Sequence, residues 1–311
     1  MSFKKKIVVA VVYAVIICLT VIAGITVRNF IENPFESAEG FEMASIEETN
    51  GKVKVNVLVV GVDKTEGLSD VIMVVRYDEE HNRIAAMSIP RDTYVNYNGR
   101  TMLINSVYGV GGINGVSKTV TTLTGLNINY YVQFNVGTFG ELIDLLGGVE
   151  FDVPQNMNYD DPVQGLHIHL KKGKQILNGS DAESMVRFRG YPQADLKRVE
   201  VQQDLLKALI QQKLNAEYIT KIPSVYSAIK DDIKCNMSLT DMLMYGKSML
   251  SLDLSSDIYT CTMPTMFTGV DAHLYQDRTE TDKIIEKEFY TDGPIIGNEP
   301  YEDEETETTD E

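Results

Sequence analysis

Beyond residue 52 the chain alternates between short apolar runs bounded by turn residues and longer stretches with helical spacing. Residues 53–60, 71–77, 83–89, 130–134, 149–153 and 258–263 are short runs rich in Val, Ile, Leu and Tyr. Runs of this length and composition predict strands, and the first is apolar enough at its end for burial on both faces. Residues 185–188 predict one more short strand. Asp78-Glu79-Glu80-His81-Asn82 reads as a hairpin connection. The strongest helical period spans 196–214, where Val199, Leu205, Leu206, Leu209, Ile210 and Leu214 share a face and Asp195 is placed to cap the start. Helices are also predicted over 115–123, ended by Gly125; over 139–146, stopped by Gly147-Gly148; and over 219–229 and 239–250. Strands interleaved with helices predict an α/β layered domain with a central mixed sheet. The pattern shows no internal repeat.

The N-terminus follows a different rule. Residues 7–27 carry no charge and follow Lys4, Lys5 and Lys6. As a helix this run is about 31 Å long, close to the hydrocarbon thickness of a bilayer. It is longer than the apolar core of a cleaved signal peptide, and Ala23-Gly24-Ile25 is a poor cleavage site. The expectation is one transmembrane helix, with residues 1–6 cytoplasmic and the rest outside the cell. Residues 28–51, polar and acidic with Pro34, read as a linker. The folded domain is then 52–290, and the acidic residues 291–311 form a disordered tail.

Charge narrows the function. The net charge is −17. Removing the eight acidic groups of the last thirteen residues still leaves −9, so a general nucleic-acid binder is excluded. Any anion site must be a local basic cluster in an acidic body. The three cysteines and four histidines match no zinc spacing. An extracellular Cys235–Cys261 disulfide and a pair of buried thiols are both open readings.

Four segments place charged residues where elements end. Gly61-Val62-Asp63 follows a buried strand and Ser69-Asp70 precedes the next. Two carboxylates there could share a hard cation such as Mg²⁺, although Asp is also an ordinary turn residue. Ser88-Ile89-Pro90-Arg91-Asp92 ends a strand on a guanidinium suited to phosphate, with Asp92 to orient it or to act as a base. Arg187-Phe188-Arg189, read as a strand, points both arginines to one face. Arg198 and Gln202 lie four apart in the first turns of a helix, where the dipole also favours an anion. Together these suit a pyrophosphate, and phosphoryl transfer needs mainly positioning and charge neutralisation. No GxxxxGK[ST] or kinase motif set is present.

These blocks resemble the LytR-CpsA-Psr family. The resemblance spans roughly residues 53–213. It rests on Asn56-Val57-Leu58 into Gly61-x-Asp63, Ser69-Asp70, Ser88-Ile89-Pro90-Arg91-Asp92, Ile104-Asn105-Ser106-Val107-Tyr108 with Gly111-Gly112, Leu145-Leu146-Gly147-Gly148-Val149, Leu177-Asn178-Gly179, Arg187-Phe188-Arg189, and Asp195-x-x-Arg198 into Gln202-Gln203. It implies an α-β-α domain outside the membrane. That domain would move an anionic glycopolymer, of teichoic acid or capsule type, from undecaprenyl pyrophosphate to peptidoglycan and form a phosphodiester. It implies that Arg91, Arg187, Arg189, Arg198 and Gln202 hold the head group, that Arg91, Asp92 and Arg189 take part in catalysis, and that Asp63 and Asp70 bind Mg²⁺. The sequence departs from the family pattern at Leu68, Leu103 and Val201, where a basic residue is usual; Arg100 lies near the second. The thinner cluster keeps open a non-catalytic alternative, a polyprenyl-pyrophosphate-binding regulator of the cell envelope.

Overall fold

The computed structural model describes residues 38, 40–63, 67–161, 166–188, 190–191, 194–267 and 273–289. The expected membrane helix and acidic tail lie outside them. Among the described residues no helix is long and apolar enough to cross a membrane.

The described residues open with β1 (Glu47–Thr49), β2 (Lys52–Asp63), β3 (Leu68–Asp78) and β4 (Arg83–Ser88). A hairpin of β5 (Tyr94–Tyr97) and β6 (Arg100–Leu103) leads into α1 (Ile104–Thr124), followed by β7 (Tyr130–Asn135) and α2 (Val136–Leu145). Four short strands come next: β8 (Val149–Val153), β9 (Met157–Asp161), β10 (Leu166–Leu170) and β11 (Gly173–Leu177). After α3 (Gly179–Arg187), α4 (Ala194–Lys213) and α5 (Ala216–Ile229) the chain forms β12 (Ile233–Cys235), α6 (Leu239–Ser248) and β13 (Ile258–Thr262). It then forms the hairpin of β14 (Thr265–Phe267) and β15 (Leu274–Gln276), and α7 (Arg278–Glu288).

The central sheet runs β12-β7-β2-β3-β4-β13, with β1 also paired to β2. Both β2–β7 and β4–β13 are parallel, whereas β2–β3, β3–β4 and β7–β12 are antiparallel. The sheet is therefore mixed, as the pattern predicts. On one face Leu58, Val60, Ile72 and Val74 pack with Val116 and Val120 of α1 and Ile285 of α7. On the other, Val55, Tyr77 and Ile84 pack with Ile210 of α4 and Tyr245 of α6. Helices cover both faces, giving three layers. A second core beside the sheet joins Ile143 of α2, Ile168 of β10, Met185 of α3 and Leu205 of α4.

Several expectations need correction. Residues 185–188 are not a strand: α3 covers Gly179–Arg187, and only Phe188 turns to extended backbone. The Asn178 side chain accepts from Asp181 N, capping the helix, and Gly179, Ala182 and Met185 bury one helical face. Arg187 is thus the last residue of a helix, and the argument that strand alternation aligns it with Arg189 fails. Gly179 is required here for packing, because a Cβ on it would come within 2.2 Å of the Gly140 carbonyl where α3 crosses α2.

The helix expected over 115–123 begins at Ile104 and bends at Gly112, whose φ of 57° only glycine adopts easily. Run together, the glycines around 109–115 hid its first half. Strand β1 lies inside the span read as linker, and Ala44 N donates to the Ile128 carbonyl. The folded body therefore begins before Lys52. Asp195 falls inside the first turn of α4 instead of preceding it.

Finally, Cys235 on β12 and Cys261 on β13 sit on opposite edges of the sheet, five strand spacings of about 4.8 Å apart, so they cannot pair. Burial pushes both thiols up to about 12.

Candidate active site

Strand directions gather the candidate residues. The C-terminal ends of β2, β4, β7 and β13 and the N-terminal end of β3 all meet at one edge of the sheet. Asp63 is the last residue of β2 and pairs with Leu68, two positions before Asp70. A register shift at Gly61/Val62 turns this end of the strand. Ile89 N donates to the Ile72 carbonyl, so the segment after β4 continues along β3 toward Asp70. Arg91 then reaches Asp70: its Nη1 lies 2.5 Å from Oδ1. Asp92 Oδ1 is 3.7 Å from Arg91 Nε and its side chain is half exposed. The start of α1 braces this turn, because Asn105 N donates to the Arg91 carbonyl (3.3 Å) and Ser69 Oγ donates to the Asn105 carbonyl (3.3 Å).

The second group arrives on α4. Gln203 Nε2 donates to the Cys261 carbonyl (2.6 Å) and to Thr262 Oγ1 (2.9 Å), at the C-terminal end of β13. Eight residues later, Gln211 Nε2 donates to the Leu254 carbonyl, before β13 begins. The helix therefore runs antiparallel to β13, and its first turns extend past the strand ends. At about 1.5 Å per residue, Arg198 lies some 7 Å beyond Gln203, on the side of the edge where Arg91 stands. Thr262 pairs with Ser88, three residues before Arg91. Arg198 is buried at 7% exposure. Gln202 Nε2 donates to the Val186 carbonyl (3.0 Å), which joins α4 to the end of α3 beside Arg187. Arg187 Nη1 is held 3.0 Å from Glu183 Oε1, one turn earlier.

Arg91 thus contacts both Asp70 and Asp92, and Gln202, one turn from Arg198 on α4, fastens that helix to the end of α3 that carries Arg187. The Asp63 side chain and Arg189 lie outside what is described. Sequence reasoning missed Glu183, whose i,i+4 spacing to Arg187 is informative only once the segment is known to be helical. It also gave no role to Gln203, whose partners lie 58 and 59 residues away. The oxygen donors suit a hard cation: Asp63 and Asp70 stand on adjacent strands at one edge, two positions out of register.

The LytR_cpsA_psr family model matches residues 20–289. The chain belongs to the LytR-CpsA-Psr family. Regulatory protein MsrR of Staphylococcus aureus (strain COL) is 30% identical over 260 residues, covering 78% of each chain. A polyisoprenyl-teichoic acid–peptidoglycan teichoic acid transferase, TagU of Bacillus cereus, is 31% identical over 211 residues, covering 66% of this chain and 67% of its own. The crystal structure of B. subtilis TagV superposes with a TM-score of 0.66 at 25% identity, over 78% of this chain and 98% of that one. This LytR-CpsA-Psr protein therefore shares the mixed-sheet α/β fold of its relatives, and the family includes teichoic acid transferases.

Proposed function

We propose that the protein transfers an anionic glycopolymer, of teichoic acid or capsule type, from undecaprenyl pyrophosphate to peptidoglycan. The carrying observation is the Asp70–Arg91 pair at the sheet edge beyond which the first turns of α4 project. This reading is supported by the chemistry of the groups at that edge: guanidinium groups suit phosphate oxygens, and a helix N-terminus favours anions. Arg91, Arg187, Arg189, Arg198 and Gln202 bind the pyrophosphate oxygens in this reading.

A peptidoglycan hydroxyl attacks the polymer-proximal phosphorus. The bond from that phosphorus to the bridging oxygen breaks, and undecaprenyl phosphate leaves. Asp92 takes the hydroxyl proton; it is more exposed than Asp70, whose carboxylate is engaged by Arg91. Asp63 and Asp70 would hold Mg²⁺, which supplies charge neutralisation at the pyrophosphate when bound. Arg91 and Arg189 oppose the charge that develops on transfer. Residues 7–27 anchor the chain in the cell membrane, with the N-terminus cytoplasmic and the domain outside.

The test is transfer from a lipid-linked glycan donor to peptidoglycan. Arg91→Ala and Arg189→Ala should each lower the rate at least about 100-fold, the scale of losing one stabilising donor. Transfer that survives both changes refutes the enzymatic reading. A second reading is a non-catalytic regulator that binds polyprenyl pyrophosphate, favoured by the name of the Staphylococcus aureus relative. It requires wild-type protein that binds the donor without turnover.

A further inference from the structure

We propose that the exposed face of the β9–β10 hairpin binds one divalent transition-metal ion of the zinc class, with His167, His169 and Asp160 as ligands. The register places them. Met157, Ile168 and Leu170 are buried in the second core, so the other face of the hairpin is turned to solvent. That face carries Asp160 directly opposite His167 and Asn158 directly opposite His169. Residues two apart on a strand share a face, and directly opposed side chains start only about 5 Å apart. Half of the chain's four histidines thus stand on one small patch with a carboxylate.

Asp160 Oδ1 lies between the two rings, 2.6 Å from His167 Nδ1 and 3.4 Å from His169 Nε2. Ligand atoms around a tetrahedral zinc ion, with bonds of about 2.0–2.1 Å, are separated by roughly 3.3 Å. His169 Nδ1 is 3.4 Å from Asn158 Oδ1. With the proton on Nδ1, donated to that amide oxygen, Nε2 keeps the lone pair that a metal ion needs. An outer hydrogen bond that fixes the tautomer in this way is the usual companion of a metal-binding imidazole. All three side chains are more than half exposed; as they stand the three donors are not all within 4.8 Å of one another, and a change of side-chain rotamer brings them around one ion. Imidazole with carboxylate suits Zn²⁺, Ni²⁺ or Cu²⁺ more than Mg²⁺. Three protein donors leave a position open to solvent.

A tighter group of carboxylates and imidazole, Asp78, Glu80 and His81, occupies the β3–β4 turn. There the cation is already supplied: Lys54 Nζ, almost fully buried, lies 3.1 Å from Glu80 and 3.9 Å from Asp78. The hairpin patch has no such lysine in contact with Asp160 among the described residues. It is separate from the Asp70–Arg91 edge and independent of the transfer reading.

The test uses the full chain in detergent micelles, without a polyhistidine tag, titrated with Zn²⁺ by calorimetry and with Co²⁺ by visible absorption. One ion should bind per chain, with a Kd on the order of micromolar. His167→Ala and His169→Ala should each weaken binding at least about tenfold, as should Asp160→Asn. His81→Ala should leave it unchanged. His167→Gln and His169→Gln repeat the test with polar side chains, and circular dichroism without metal confirms that each variant is folded. Absence of Zn²⁺ binding up to about 1 mM, or wild-type binding in both histidine variants, overturns the proposal.

Discussion

Asp70→Asn weakens the contact on which the site depends and, in the same step, one proposed ligand of Mg²⁺; the double-mutant cycle with Arg91 separates the two. The substitution keeps the shape of the side chain and removes its charge, so Arg91 loses a charge-assisted bond of 2.5 Å. Such a bond contributes about 1.5–3 kcal/mol when fully enclosed. Here the side chains retain 20% and 32% of their exposure, so solvent screening reduces the figure to about 1–2 kcal/mol. For a domain of this size that corresponds to a fall in Tm of about 3–6 °C. The functional loss should be larger than the structural one, because the guanidinium must point at the substrate and is aimed by Asp70. A drop of at least about 100-fold in transfer rate, equivalent to about 2.7 kcal/mol, is expected. A double-mutant cycle with Arg91→Ala should give a coupling of about 1 kcal/mol or more. If Asp70→Asn keeps its Tm and transfers within about threefold of the wild type, Asp70 does not position Arg91 and the reasoning fails.

Other expectations follow from the same contacts. Gln203→Leu removes two short hydrogen bonds and leaves the Cys261 carbonyl without this donor. Urea titration should show a loss of about 2–3 kcal/mol, and the shifted helix start should also weaken donor binding. Tyr191→Phe should be neutral or stabilising by up to about 1–2 kcal/mol, since its buried hydroxyl has no hydrogen-bond partner among the described residues and burial pushes its pKa up to about 12. A clear fall in Tm would show that the hydroxyl is used. Stability should decline between about pH 9 and 12. Cys235 and Cys261 stay neutral in the folded chain until about pH 12 but ionise near their ordinary values when unfolded. Unfolding therefore releases protons in that window, and rising pH favours it. Denaturant midpoints that stay constant across that range would contradict this, and native-state reaction with a thiol reagent should be slow.

The strands of the central sheet and helices α4, α5 and α6 are legible because their residues carry a period of their own. Val71 to Tyr77 repeats burial whichever neighbour covers it, and α4 keeps one apolar face over five turns. The failures share a cause. Residues 185–188 could be a short strand or a helix end by composition, and the Asn178 cap and the contact of Gly179 with α2 decided the matter. The first half of α1 is glycine-rich, so only packing against the sheet and the β5–β6 hairpin makes it helical. The cysteine pair looked open until sheet order put the two thiols at opposite edges.

The site divides along the same line. Asp70, Arg91, Arg187 and Arg198 stand out in sequence because charge gathers at element ends, and residue type alone settles that guanidinium groups and carboxylates suit phosphate chemistry. Which of them meet is a different matter. Asp70 and Arg91 touch because β3 and β4 are antiparallel neighbours and the backbone continues pairing past β4. Arg198 reaches the same edge because Gln203 fastens α4 antiparallel to β13, a strand that follows it by more than forty residues in the chain. Sequence determined the hydrophobic periods and the supply of charged groups, which are properties of neighbouring residues. Only the tertiary structure decided strand order, helix direction and ion pairing, because each depends on contacts between segments whose separation along the chain carries no record of who will meet.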